Sequence, residues 1–310
     1  MESRRSQYDV TNQVNTTDAA SVSWEVNRIF QSLYPDASPQ HLNQSFEDVR
    51  RVFRGDYPGY RSCDTDYHNL QHTLDVALAM ARIMDGYERS REFSDPIGSR
   101  LFVFGTVTAL LHDVGYIRRK HDTRHHNGAE YTLTHVSRGA RFIEEYMSVI
   151  DMADLSPVAR QIVHFTGFER AVNKIKLPGM IFRRLGNMLG TADIIAQMSD
   201  RCYLEKCHDR LYPEFVAGGL AESSKQRAAN STQFSSPSDL VSRTPMFYRT
   251  ATARLNDVLG GAYTHAQDHF GGQNLYLDEI EKNVSYAELV AESNDMTRLR
   301  RSPPSANSKD

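Results

Sequence analysis

The sequence predicts an all-α protein. Three observations point there: apolar residues recur at helical spacing along most of the chain, no stretch shows sustained alternation, and no fixed-period repeat intervenes. With 40% hydrophobic and 10% aromatic residues in 310, the chain has the material for a core. A single helical bundle spanning residues 20–296 is expected, with disordered polar tails at 1–19 and 297–310.

Val22, Val26, Ile29, Phe30 and Leu33 mark the first helix. Phe46, Val49 and Phe53 mark the second, which Gly55 stops. From Asn69 onward, Leu70, Leu74, Val76, Leu78, Met80 and Ile83 predict a long helix. Asp95-Pro96-Ile97-Gly98 then breaks the chain before a helix over 99–114 that is apolar nearly all round, as a central buried helix should be. A basic loop follows over 118–128. Val136, Ala140, Ile143 and Met147 carry a helix with His135 on its first turn, and Ser156-Pro157 starts another that leads to His164. The next helix, over 180–208, places Gly186 and Gly190 four apart, where a neighbour can approach its backbone. Residues 221–243, rich in Ser, Ala and Gln, read as a flexible excursion, and helical spacing resumes near Met246 and over 277–289.

Composition excludes some partners. Lys and Arg number 36 against 39 Asp and Glu, a formal net charge of −3, which offers no global attraction to a nucleic acid polymer or an anionic membrane. No secretory signal is apparent, and the longest apolar stretch, 101–111, is too short to span a bilayer, so a cytoplasmic protein is expected. Three cysteines, Cys63, Cys202 and Cys207, lack zinc-finger spacing and read as reduced thiols.

The chemistry lies in the histidines and aspartates. His68 and His72, four apart, are expected on one helix face, while the adjacent His112 and Asp113 reach a common point at a helix end. A charged aspartate beside an apolar helix needs a cation or a hydrogen-bonded partner. Asp193, among Leu189, Ile194 and Ile195, poses the same question. A set of imidazoles and carboxylates suits Zn, Fe or Mn.

Tyr67-His68-Asn69 with His72 and Asp75-Val76, then His112-Asp113-Val114, then Thr191-Ala192-Asp193, resembles the HD-domain metal-dependent phosphohydrolase superfamily. The first segment is especially similar to the cyclic nucleotide phosphodiesterase signature, and the resemblance covers residues 60–210, the expected metal-site core. It implies an HD-type bundle in which His72, His112, Asp113 and Asp193 bind one divalent ion. It also implies a second ion through Asp113, with His135 and His164 where broader members add histidines, the ions being drawn from Zn, Mn, Mg or Fe. His68 is then the general acid, Asn69 orients it, and Arg118, Arg119, Lys120 and Gln197 meet the substrate. The expected activity is hydrolysis of a nucleotide or related phosphoester, with a cyclic nucleotide diester as the narrower case. A non-catalytic metal- or nucleotide-binding sensor on the same scaffold is the alternative, and a pure sensor needs no positioned acid.

Overall fold

The structure is a computed structural model that describes residues 4–91, 95–221 and 234–305. Among these residues there is no strand, only isolated bridges such as Tyr60 to Arg119. No helix among them is long and apolar enough to cross a membrane.

Two helices, α1 (Ala19–Leu33) and α2 (Gln40–Arg54), lead into α3 (Leu70–Ser90), the axis of the bundle, against which α1 and α4 (Gly98–Leu111) pack. Every residue of α4 from Phe102 to Leu111 is buried, as its all-round apolar sequence requires. Then come α5 (His135–Tyr146), α6 (Ser156–Ile162) and α7 (Met180–Ser199), the last lying along α3. Past them run α8 (Tyr203–Lys206), α9 (Tyr212–Ala217), α10 (Pro237–Ser242), α11 (Thr244–Ala253), α12 (His265–His269) and α13 (Leu275–Ser293).

Several boundaries depart from expectation for physical reasons. The helix expected over 99–114 stops at Leu111, and Val114–Tyr116 forms a single 3-10 turn. Gly115 sits there because α5 crosses close by: a Cβ on it would lie 1.8 Å from the His135 carbonyl oxygen. The helix expected over 180–208 breaks after Ser199, where Asp200 turns extended and its carboxylate accepts from the Cys202 N–H at 2.7 Å and from Lys206 Nζ at 2.5 Å. Beyond it, Cys207–Leu211 forms a π turn just before Pro213, which has no N–H to give an α-helical ladder. Gly186 and Gly190 do admit a neighbour. The ring and carbonyl of Phe165, on the 3-10 turn Val163–Phe165, sit where their Cβ atoms would be.

The tails need correction. Residues 4–18 are packed, not disordered: the Asp9 carboxylate accepts from the N–H of Gln13 and Val14 and pairs with Arg82 at 2.5 Å. Arg82 is only 1% exposed, so burial and pairing fix the segment on α3. Arg301 likewise donates to Asn283 Oδ1 at 2.7 Å, tying part of the C-terminal segment to α13. Within the expected excursion 221–243, residues 234–243 include α10, whose N-cap is Ser236, while 222–233 lie outside the described residues, as do 1–3 and 306–310.

Candidate metal centre

Four elements converge on one buried point. His72 stands on the first turn of α3, His112 caps α4 with Asp113 next to it, Asp193 projects from α7, and His135 opens α5. His72 Nε2 lies 3.4 Å from Asp113 Oδ2 and 3.4 Å from Asp193 Oδ1. His112 Nε2 lies 3.1 Å from Asp113 Oδ2 and 3.8 Å from Asp193 Oδ1. His135 Nε2 faces the other oxygen of Asp113, Oδ1, at 3.5 Å. The donor atoms of His72, His112 and Asp113 all fall within 4.8 Å of one another, so this buried group is able to hold a metal ion.

Backbone carbonyls set the imidazole tautomers. A carbonyl only accepts, so His112 Nδ1 donates to Ala109 O at 2.8 Å and His135 Nδ1 donates to Thr132 O at 2.6 Å. Both Nε2 lone pairs then face the cluster, as metal-ligating histidines are oriented by their outer hydrogen bonds. His112 Nε2 is fully buried and has no hydrogen-bond partner. A cation satisfies this orphaned atom and both carboxylates together, and the nitrogen and oxygen donors suit Zn, Mn or Fe.

The electrostatics agree. Burial alone would lower the His72 imidazole, but Asp113 and Asp193 push it up to about 10. Burial would raise the Asp113 carboxyl, yet His112 and His72 hold it well below the usual carboxylate range. A proton on the His72 imidazole balances the carboxylates, a role that a cation would also fill. His135 is lowered by burial, which keeps it neutral and able to ligate.

His68 does not share a helix with His72. The helix starts at Leu70, and Asn69 is its N-cap, its Oδ1 accepting from the His72 N–H at 3.2 Å while its amide donates to Asp66 O. Asn69 therefore orients the start of α3 and not the His68 ring. That ring is set by Glu214, to which Nδ1 donates at 2.5 Å, and by stacking on Tyr116 at 4.3 Å. Tyr116 stacks on His135 as well, at 4.3 Å. Glu214 on α9 also accepts from the Tyr67 N–H at 2.6 Å and is buried. It was not visible in sequence, since it lies 146 residues from His68 and no local pattern marks it.

Gln197 lines the cavity above the cluster, with its Oε1 3.4 Å from the Tyr67 hydroxyl. The basic loop does not line it. Arg118 is neutralised by Asp64 at 2.6 Å and donates to His125 O, and Arg119 lies over the Tyr60 ring at 4.6 Å. Lys120 joins the Tyr60 turn through its backbone, donating to Gly59 O. His164 is buried against Glu169, which accepts from its Nδ1, and it is not among the cavity-lining residues. The three basic residues therefore leave the candidate set, while His164 pairs with Glu169, itself a cavity-lining residue, and is not brought to Asp113 or Asp193.

A family model described as Npun_R2479-like matches residues 123–260. That similarity takes in His135, Asp193 and Glu214 but not His72, His112 or Asp113. No curated protein and no solved structure matches the chain.

Proposed function

We propose that the chain is a metal-dependent phosphohydrolase. The observation that carries this reading is the orphaned Nε2 of His112, aimed at Asp113 and Asp193 beside a cavity into which an oriented histidine, His68, projects. His72, His112, Asp113 and Asp193 would hold a divalent ion, and His135 with Asp113 would provide for a second. Bound there, divalent ions supply Lewis acidity that makes water a nucleophile toward phosphorus at neutral pH.

The remaining steps belong to the chain. With Nδ1–H held by Glu214, His68 presents Nε2 to the cavity. Protonated there, it gives its proton to the leaving oxygen as the bond from phosphorus to that oxygen breaks and the bond to the water oxygen forms. The proton released by the water restores His68. Glu214 stabilises the imidazolium and fixes its direction, while Tyr116 fixes its plane.

The test is turnover of bis-p-nitrophenyl phosphate by full-length protein loaded with Mn, Mg, Zn or Fe in turn. At least one metal should support release of p-nitrophenol, and His112→Ala should reduce it to background with the helical fold retained. A His112→Ala rate equal to the parent's would end the proposal. Metal-replete protein that binds phosphoesters and never releases product would make the chain a sensor.

A further inference from the structure

The cavity above the metal centre is apolar far beyond what chemistry at phosphorus requires. Its volume is about 1020 Å³, the upper end of the range of roughly 300–1,000 Å³ common for small-molecule sites. The ionisable groups His68, His72, Asp113, His135 and Asp193 cluster at one end. Much of the rest is aliphatic and aromatic wall, including Phe215 stacked on Phe234 at 5.7 Å and Tyr203 stacked on Phe247 at 6.2 Å. Among the described residues, Leu133, Phe168 and Met246 are large hydrophobic side chains left 68%, 73% and 62% exposed, and all three belong to this cavity. Exposed apolar groups gathered at one opening mark a surface that meets an apolar partner.

Among the described residues, positive charge is scarce there. Arg243 is the one lysine or arginine among the described lining residues, and Asp239 holds its Nε at 2.8 Å. Glu169 adds a carboxylate to the lining. A polyphosphate entering this space would lose water and, among the described lining residues, meet a single guanidinium, that of Arg243, too few cations to offset several phosphate charges.

We infer that the substrate is a phosphoester with a single phosphate and a bulky uncharged apolar group, aryl or long-chain alkyl, that fills the aromatic wall. This rests on the phosphohydrolase reading of the metal centre. It excludes nucleoside triphosphates as good substrates and places the cyclic nucleotides below apolar diesters.

A homologous series tests it. Metal-loaded full-length protein is given p-nitrophenyl alkyl phosphodiesters from methyl to octyl, with phenyl and naphthyl esters as the aryl arm. Each added methylene should raise kcat/KM on the order of fourfold early in the series, the factor equivalent to burying one such group. The rise should level off once the wall is covered. Whichever arm climbs further separates a chain-like from a ring-like body. Phe247→Ser in the wall and Phe168→Ser at the mouth should each flatten the series, and ATP and cyclic AMP should fall below the methyl ester. A flat parental series, or a preference for ATP or cyclic AMP, overturns the inference while leaving phosphoester hydrolysis standing. If no ester is turned over, the hydrolase reading fails, and calorimetric binding of octyl phosphate below its micelle concentration against methyl phosphate still decides this one. Tighter binding of the octyl compound supports it and equal binding overturns it.

Discussion

Glu214 shows how much of the site rests on a single side chain far away in sequence. Its carboxylate takes the His68 Nδ1–H and the Tyr67 N–H together, so the direction of the proposed acid is fixed from α9. Glu214→Gln should lower kcat on the order of 10²-fold with KM little changed, and should move the alkaline limb of the pH–rate profile, the side on which a general acid loses its proton. Metal content should stay at the parental level. A uniform loss of activity with an unchanged profile would mean that Glu214 only supports the fold. His72, His112, Asp113 and Asp193 were singled out in sequence by the motif resemblance and, for the two aspartates, by an apolar setting, whereas the helical spacing of His68 and His72 misled because α3 begins only at Leu70. The partners that orient them were not legible: Glu214 and the stacking of Tyr116 depend on chain reversals that no local pattern encodes. Asn69 shows the opposite error, a residue beside the acid whose hydrogen bonds serve the helix start.

At the scale of elements, close backbone crossings hold the ligands in register. A Cβ at Gly115 would meet the His135 carbonyl, and one at Gly86 would lie 1.7 Å from the His265 carbonyl, so α5 and α12 each press on a glycine. Gly115→Ala should cost about 1–3 kcal/mol of stability, read in urea, and should weaken metal binding because α5 carries His135. Parental stability and affinity together would show that the crossing has slack. Helix existence was legible from periodicity. The ends of α4 and α7 were not, because they depend on this crossing and on the capture of Cys202 and Lys206 by Asp200.

Across the whole molecule, charge is buried at several points, the N-terminal segment and the metal centre among them, with Asp200–Lys206 and Asp85–His269 as further buried pairs. Burial would raise the Asp9 carboxyl, but Arg82 and the Val14 N–H hold it below its usual value. A carboxyl lowered on folding contributes stability that is complete above its unfolded pKa, about 4, and fades as pH falls through the folded value. Asp9→Asn should therefore cost about 3–5 kcal/mol at neutral pH, with the gap to the parent narrowing as pH falls below about 4. A gap independent of pH would contradict the pairing. The polar composition of residues 4–18 concealed this anchor, since one buried aspartate outweighs many exposed polar neighbours. Chelation should likewise lower the melting temperature, because a ligand held only by the folded state adds about 2.7 kcal/mol at one hundred times its Kd.

Metal analysis of purified full-length protein beside His112→Ala and Asp113→Ala tests the centre most directly. The parent should carry at least one equivalent of a divalent transition metal, and both variants should lose it while keeping parental helical circular dichroism. Parental protein that takes up no such metal under saturating conditions, or variants that retain it in full, would contradict the convergence of these side chains on a cation.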